Sequence, residues 1–293
     1  MTCNHQVAGS NPAGGLISAR ISWTGEDAKN VIRTLKLAGD SDKHVKSIER
    51  RLRRFSEHCC YSCNLDDIII YINEIKSKYS YSELHKTILA IRMLMREIEA
   101  PFADKIKLPK APKRRRIVVK IKDLKRLLSQ VEQLNYAMAL RTKAAILLSA
   151  TSGIRAEELY KLTLENIDIE NRTIYITAEI AKDYEDRVTF FSEEAKTVLV
   201  EYLDNVKRKT SRLFPESNIK RALQQLNTKL RIKHMRKFFS QQSDRLGMPT
   251  AVKKILMGHS TRNDVDLSHY DFQDEEELKK IYDRYWAEFR ILS

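Results

Sequence analysis

The stretch LPKAPKRRR, residues 108–116, divides this chain. Two prolines and five cations in nine residues cannot form the interior of a helix or strand, because proline removes a backbone donor and the cations repel one another and need water. Whatever folds before this stretch and whatever folds after it therefore build separate cores. Residues 109–116 read as a basic linker whose Lys110, Lys113, Arg114, Arg115 and Arg116 can lie along a phosphate backbone. The flanking units, 26–108 and 117–293, are each long enough to bury a core of their own.

Charge narrows the class of partner. Lys and Arg number 53 against 39 Asp and Glu, a net +14. An excess of this size points to a polyanion, since neutralising phosphates with Lys and Arg drives nucleic-acid affinity. No apolar run of about 18 residues is present, and the first residues lack the basic-then-apolar order of a secretory leader. The expectation is a cytoplasmic protein acting on DNA, with no membrane partner. Cys3, Cys59, Cys60 and Cys63 are too few for a disulfide framework in such a compartment. In HCCYSC, Cys60 and Cys63 have ligand-like spacing, but a structural zinc needs four ligands and no second pair follows. Half-exposed thiols at a helix end are the expectation, with no metal and no cofactor.

The first unit reads as helical. SDKHVKSIERRLRRFSEHC offers a Ser cap and then Val45, Ile48, Leu52 and Phe55 at intervals of three or four, with a basic outer face. LDDIIIYINEIKSKY and SYSELHKTILAIRMLMREI read as two more helices. Residues 1–25 hold four of the eight glycines and read as a flexible tail. In the second unit a helix begins near Ile121, and the nearly all-apolar run 144–150 marks a buried helix that Gly153 stops. ENIDIENRTIYITAEIAKDYEDRVTFFS alternates apolar and polar residues around Asn171, as a small antiparallel sheet does. The rest returns to helix, with breaks at Pro215, Gly247 and Gly258 and around 266–269. The fold class is mainly α with a small antiparallel β-sheet.

Four stretches of this unit place cations and imidazoles at loop-to-helix junctions: TSGIRAEEL with Arg155, AEIAKDYEDRV with Lys182, IKHMRKFFSQQSDRLGM with His234 and Arg236, and VKKILMGHSTRNDVDLSHYDF with His259 and Tyr270. Each has an ordinary alternative. Arg155 can pair with Glu157 or Glu158 on the surface, and a lysine at a hairpin tip is usually just solvated. Residues two apart, such as His234 and Arg236, share a ligand only where a helix is beginning.

In their order and separations, SGIRAEEL, HMRKFF followed by LGMP, and ILMGHS followed by a tyrosine resemble the tyrosine recombinases, or lambda-type integrases. The likeness covers about 117–270 well, and the unit before it resembles that family's core-binding domain in position and size. The resemblance implies a helical core-binding domain joined by the linker to a catalytic domain. It further implies that Arg155 and Arg236 clamp a scissile phosphate, Lys182 and His234 manage protons, His259 supports the phosphate and Tyr270 is the nucleophile. The chemistry is coherent: two guanidinium forks neutralise the charge that builds on a phosphodiester under attack, and cations with an imidazole favour the phenolate of a tyrosine. A 3′-phosphotyrosyl link would store the energy of the broken bond, so rejoining needs neither metal nor ATP. Neither a phosphate-binding glycine loop nor a two-metal carboxylate set is found.

That family usually has its nucleophile sooner after the second histidine than the eleven residues separating His259 from Tyr270. A longer loop lets a tyrosine reach a neighbouring active site, and recombination implies a homo-oligomer, dimer to tetramer, on double-stranded DNA attachment sites. Tyr282 and Tyr285 fall in DEEELKKIYDRYWAEFRIL, with Leu278, Ile281, Tyr285 and Phe289 at core spacing, and read as packing residues of a helix that docks on its own or an adjacent protomer. A type IB topoisomerase, which nicks and reseals without exchange, and a binding-only protein with a decayed site are the alternatives.

The opening residues carry a second kind of information. Gly9-Ser10-Asn11-Pro12 can be encoded by GGT TCA AAT CCC, which contains the T-loop consensus of transfer RNA genes. With Ala8 as GCG and Ala13 beginning GC, the complementary arms GCGGG and CCCGC flank TTCAAAT. This resembles archaeal virus and plasmid integrases of the gene-splitting fusellovirus type, whose attachment site overlaps the start of the integrase gene and copies the end of a host transfer RNA gene.

Overall fold

The structure, a computed structural model, describes residues 20–110, 112, 117–207, 210–259 and 274–292. The greater part of the expected tail (1–19), Lys113, Arg114, Arg115, Arg116 and Tyr270 lie outside the described residues; Lys110 is described and exposed. The chain divides into two compact units at residues 115 and 116. It is mainly helical with small antiparallel sheets, the fold class read from the sequence.

Four helices build the first unit: α1 (Gly25–Leu37), α2 (Asp42–His58), α3 (Leu65–Lys78) and α4 (Tyr81–Glu97). Their starts follow from side-chain capping: Thr24, Ser41, Asn64 and Ser80 each accept a backbone N–H from the first turn, which satisfies donors that have no partner inside the helix. Val45, Ile48, Leu52 and Phe55 of α2 are buried, as their spacing predicts. The tail boundary at residue 25 needs correction. Residues Ile21–Ser22 (β1) pair antiparallel with Ser62–Cys63 (β2), and Trp23, 4% exposed, stacks on Phe55 with ring centroids 5.5 Å apart. Its indole N–H donates to Ser56 Oγ at 2.8 Å, so the chain has joined the core by residue 20. Helix α1 was not separately read from the sequence, although its signal is local: Thr24 and Asp27 form a capping box in which Asp27 Oδ2 accepts from the Thr24 N–H at 2.6 Å. In HCCYSC, Cys59 is half-buried, Cys60 exposed and Cys63 buried.

The second unit is organised around α6 (Tyr136–Ser152), in which residues 144–152 are all buried. Around it pack α5 (Ile121–Val131), α8 (Glu193–Asn205), α9 (Glu216–Gln225) and α10 (Ile232–Leu246). The one-turn helix α7 (Ala156–Leu159) follows α6 directly. A three-stranded antiparallel sheet, β3 (Ile167–Asp168), β4 (Thr173–Ile176) and β5 (Arg187–Phe190), pairs Ile176 with Arg187 at the mouth of the long β4–β5 loop. Helix α11 (Thr250–Met257) lies against β5.

The final helix, α12 (Glu275–Trp286), docks on its own unit. Tyr282 and Trp286 are fully buried; the Tyr282 hydroxyl donates to the Thr151 carbonyl at 2.9 Å, and the Trp286 indole N–H donates to Ser243 Oγ at 3.0 Å. Burial also pushes the Tyr282 pKa well above its ordinary value, as expected of a packing residue. Tyr285 is half-buried on the same helix. Replacing Trp286 by Ala removes the largest buried side chain from this contact, and should cost about 3–5 kcal/mol, whereas Tyr282→Phe, losing one hydrogen bond, should cost about 1 kcal/mol. Urea denaturation of the two variants tests that order.

Candidate active site

Three described helices of the second unit end at a left-handed glycine, and two of those ends, of α6 and α11, each hold an arginine. Helix α6 stops at Gly153 (φ 68°) and α11 at Gly258 (φ 62°), both in the left-handed region that glycine adopts without strain. Glycine is required for space as well. A Cβ at 153 would sit 2.4 Å from Phe239 Cδ1, and one at 258 would sit 2.7 Å from Arg187 Cδ. The carbonyls of these caps point at guanidiniums: Arg236 Nη1 donates to Gly153 O at 2.6 Å, and Arg155 Nη2 donates to Gly258 O at 2.5 Å. Helix C-termini carry partial negative charge, so each arginine is oriented by a dipole at one corner of its fork.

Arg155 is further held by carboxylates. It is the residue before α7, and Glu158 Oε1 accepts from its Nη1 at 2.9 Å while Glu158 Oε2 accepts from its backbone N–H at 2.9 Å. Asp183, in the β4–β5 loop, takes the outer edge of the guanidinium, with Oδ2 3.0 Å from Nη2. Burial works against the Arg155 charge, but the Glu158 bond and the Glu158 and Asp183 charges outweigh it and raise the pKa. The surface pair with Glu158 envisaged from the sequence is thus present, but its carboxylate is fully buried.

Arg236 is differently placed. Among the described residues it has no carboxylate partner. Burial, then repulsion from Arg155 and Arg187, pushes its pKa down to about 10. His259 follows Gly258 and is exposed at one side. Burial of its ring, then the charges of Arg236, Arg155, Lys253 and Lys254, hold its pKa below 6.5. Because Arg155 bonds the carbonyl just before His259, and Arg236 bonds the carbonyl two residues before Arg155, these three side chains start from one small region. Lys182 is exposed and adjoins Asp183 in the chain, so its loop is tied to Arg155. Tyr270 lies outside the described residues.

His234 does not join this group. Helix α10 begins at Ile232, and the His234 Nδ1 accepts the Arg231 backbone N–H at 3.0 Å, so the imidazole caps its own helix. It is 8% exposed, and its pKa is lowered by burial and by Lys233, Lys237 and Arg231, not by the arginine cluster. At 3.6 residues per turn, His234 points about 160° away from Arg236 around the helix, while Lys233 is about 60° away. The exposed Lys233 is therefore the cation of this turn on the Arg236 side. Its spacing from Arg236 was visible in the sequence; what hid it was where the helix begins. Arg187, which bonds Glu158 from the other side, was also missed.

Comparison with known proteins bears on the family and the fold. Residues 118–276 match the model of the Phage integrase family. The tyrosine recombinase XerA of Saccharolobus solfataricus is 29% identical over 195 residues, which span 64% of this chain and 63% of that relative, less than two thirds of its length. Among solved structures, a lambda integrase dimer bound to a COC′ core site superposes with a TM-score of 0.65 at 13% identity, covering 97% of this chain and 85% of that one. The Tn1549 transposon integrase in complex with circular intermediate DNA gives 0.62 at 15%, covering 90% and 96%. At such identities the likeness is one of fold. With residues 118–276, more than half of its length, matched to that model, this chain belongs to the Phage integrase family.

Proposed function

We propose that this protein is a site-specific DNA recombinase that cleaves and rejoins strands through Tyr270. The observation that carries the reading is Arg236, a partly buried cation with no carboxylate partner among the described residues, beside Arg155 and His259. A charge withdrawn this far from water is costly unless an anion completes it, and a phosphodiester oxygen is that anion. Arg155 and Arg236 hold the non-bridging oxygens, and His259 donates to the same phosphate. The Tyr270 oxygen forms a bond to phosphorus as the bond to the 5′ oxygen breaks. The tyrosine proton passes to the free nitrogen of the neutral His259 imidazole, whose other nitrogen donates to the phosphate, and Lys182 protonates the departing 5′ oxygen. Attack by another strand's 5′ hydroxyl reverses these steps. The geometry favours Lys233 over His234 as the cation of the α10 turn that faces the phosphate, and gives His234 the support of that turn.

The finer reading is an integrase that inserts or excises a viral or plasmid genome at a transfer RNA gene, working as a homo-oligomer on double-stranded attachment sites. Its support is that Ala8 to Ala13 can be encoded by a T-arm. Codons at the 5′ end of the gene that do not form this stem would overturn it.

Nicked suicide duplexes drawn from a randomised pool test the chemistry. Wild type should form a covalent protein–DNA band and Tyr270→Phe none; a band persisting in the variant moves the nucleophile elsewhere. Lys233→Ala should slow the adduct about 100-fold or more, while His234→Gln, which replaces a cap, should act mainly on stability.

Asp183 occupies Arg155 from a partly exposed position, 35% exposed at the side chain, and a phosphate has to displace it. Asp183→Asn should therefore tighten DNA binding about two- to fivefold, the scale of a partly solvated ion pair, as read by fluorescence anisotropy. Both histidines bind protons more weakly in the folded chain than the ordinary 6.5. They are neutral at neutral pH, so adduct formation should hold steady as pH falls to about 6.5 and decline only below it. A decline centred above 7 would assign the transition to another group.

A further inference from the structure

We infer that Arg187, on strand β5, is a positioning residue that aims Arg155 at the phosphate by gripping Glu158 and filling the space beneath Gly258. This rests on the phosphoryl-transfer reading above.

Glu158 is fully buried and each of its oxygens serves both arginines. Oε1 accepts from Arg155 Nη1 at 2.9 Å and from Arg187 Nη1 at 3.1 Å. Oε2 accepts from the Arg155 backbone N–H at 2.9 Å and from Arg187 Nη2 at 2.5 Å. The two arginines differ in freedom. Arg155 is 21% exposed at the side chain and Arg187 only 8%. With Arg155 alone, the carboxylate could follow it toward solvent. Arg187 holds it from the interior by a two-pronged bond, the geometry that gives guanidinium–carboxylate pairs their directionality.

The same side chain supports the second anchor of Arg155. Its Cδ, Nε and Cζ lie 2.7–2.9 Å from where a Cβ of residue 258 would be, so it packs directly under the glycine whose carbonyl receives Arg155 Nη2. Its Nε is buried with no hydrogen-bond partner among the described residues, so this part of the guanidinium contributes packing and charge. An ion pair needed only for stability would be replaceable by apolar groups of the same volume. Here the charge has a second effect, since Arg187 adds to the positive potential felt by Arg236.

Arg187→Gln and Arg187→Lys separate positioning from folding, the lysine variant serving if the glutamine variant does not fold. The substrates are the suicide duplex selected by the wild type and its twin with a methylphosphonate at the scissile linkage, where a methyl group replaces one anionic oxygen. Thermal melting and anisotropy with uncleaved duplex report fold and binding. Arg187→Lys should melt near wild type, bind DNA equally, and form the adduct about 10- to 100-fold more slowly on the phosphate, the scale of a misaimed catalytic group. That deficit should shrink to a few-fold on the methylphosphonate, which asks less of Arg155. Wild-type rates in Arg187→Lys, or an equal deficit on both linkages accompanied by weaker binding, would overturn the proposal. If wild type forms no adduct on any duplex, the recombinase reading fails, and calorimetry with inorganic phosphate still decides the role of Arg187: weakened binding in Arg187→Lys supports it, and unchanged binding refutes it.

Discussion

A carboxylate that water cannot reach, Glu158, is the constraint on which the rest of the site depends. Its burial would be prohibitive for a lone charge, and the attractions of Arg187 and Arg155 overcome that cost so fully that its pKa lies below the ordinary carboxylate value. Because the pair of guanidiniums saturates both oxygens, the carboxylate has one orientation, and so have the backbone and the fork of Arg155. The entry to α7, the start of β5 and the cap of α11 are thereby tied at a single point, although they lie far apart in sequence.

Glycines set the other half of the geometry. At both 153 and 258 a helix is ended in a conformation that side chains resist, at a place where a Cβ would strike a neighbour. What each turn gains is a carbonyl directed at an arginine. The arginines are thus oriented by main-chain groups that cannot rotate away, and the catalytic domain's long buried helix becomes part of the mechanism through its last residue.

Much of this was legible in the sequence because it is local. Gly153 followed by Arg155, and Gly258 followed by His259, announce a helix end and a polar group in one breath, and the apolar run 144–150 could only be interior. The linker LPKAPKRRR separated the units for the same reason: its composition permits nothing else. What was missed depends on one-residue phase or on long-range contact. His234 and Lys233 are neighbours, and which of them shares the side of Arg236 turns on α10 starting at Ile232, which no residue type declares. Arg187 looked like one more cation in an acidic loop, KDYEDR, because its partner Glu158 is 29 residues away. Trp23 was assigned to a tail since its partner, Phe55, belongs to a helix not yet placed beside it.

Charge balance explains how such a site can wait without collapsing. Arg155, Arg187 and Arg236 against Glu158 leave a surplus of two positive charges, and Asp183 on the open edge of Arg155 reduces it to one. Asp183 therefore relieves part of the repulsion among the arginines from the one edge that water reaches, and an anion that takes its place on Arg155 restores that balance. Since Asp183 and Lys182 are consecutive, a movement that takes the carboxylate off Arg155 also carries Lys182, so in the proposed reaction uncovering the arginine and presenting the lysine are one event.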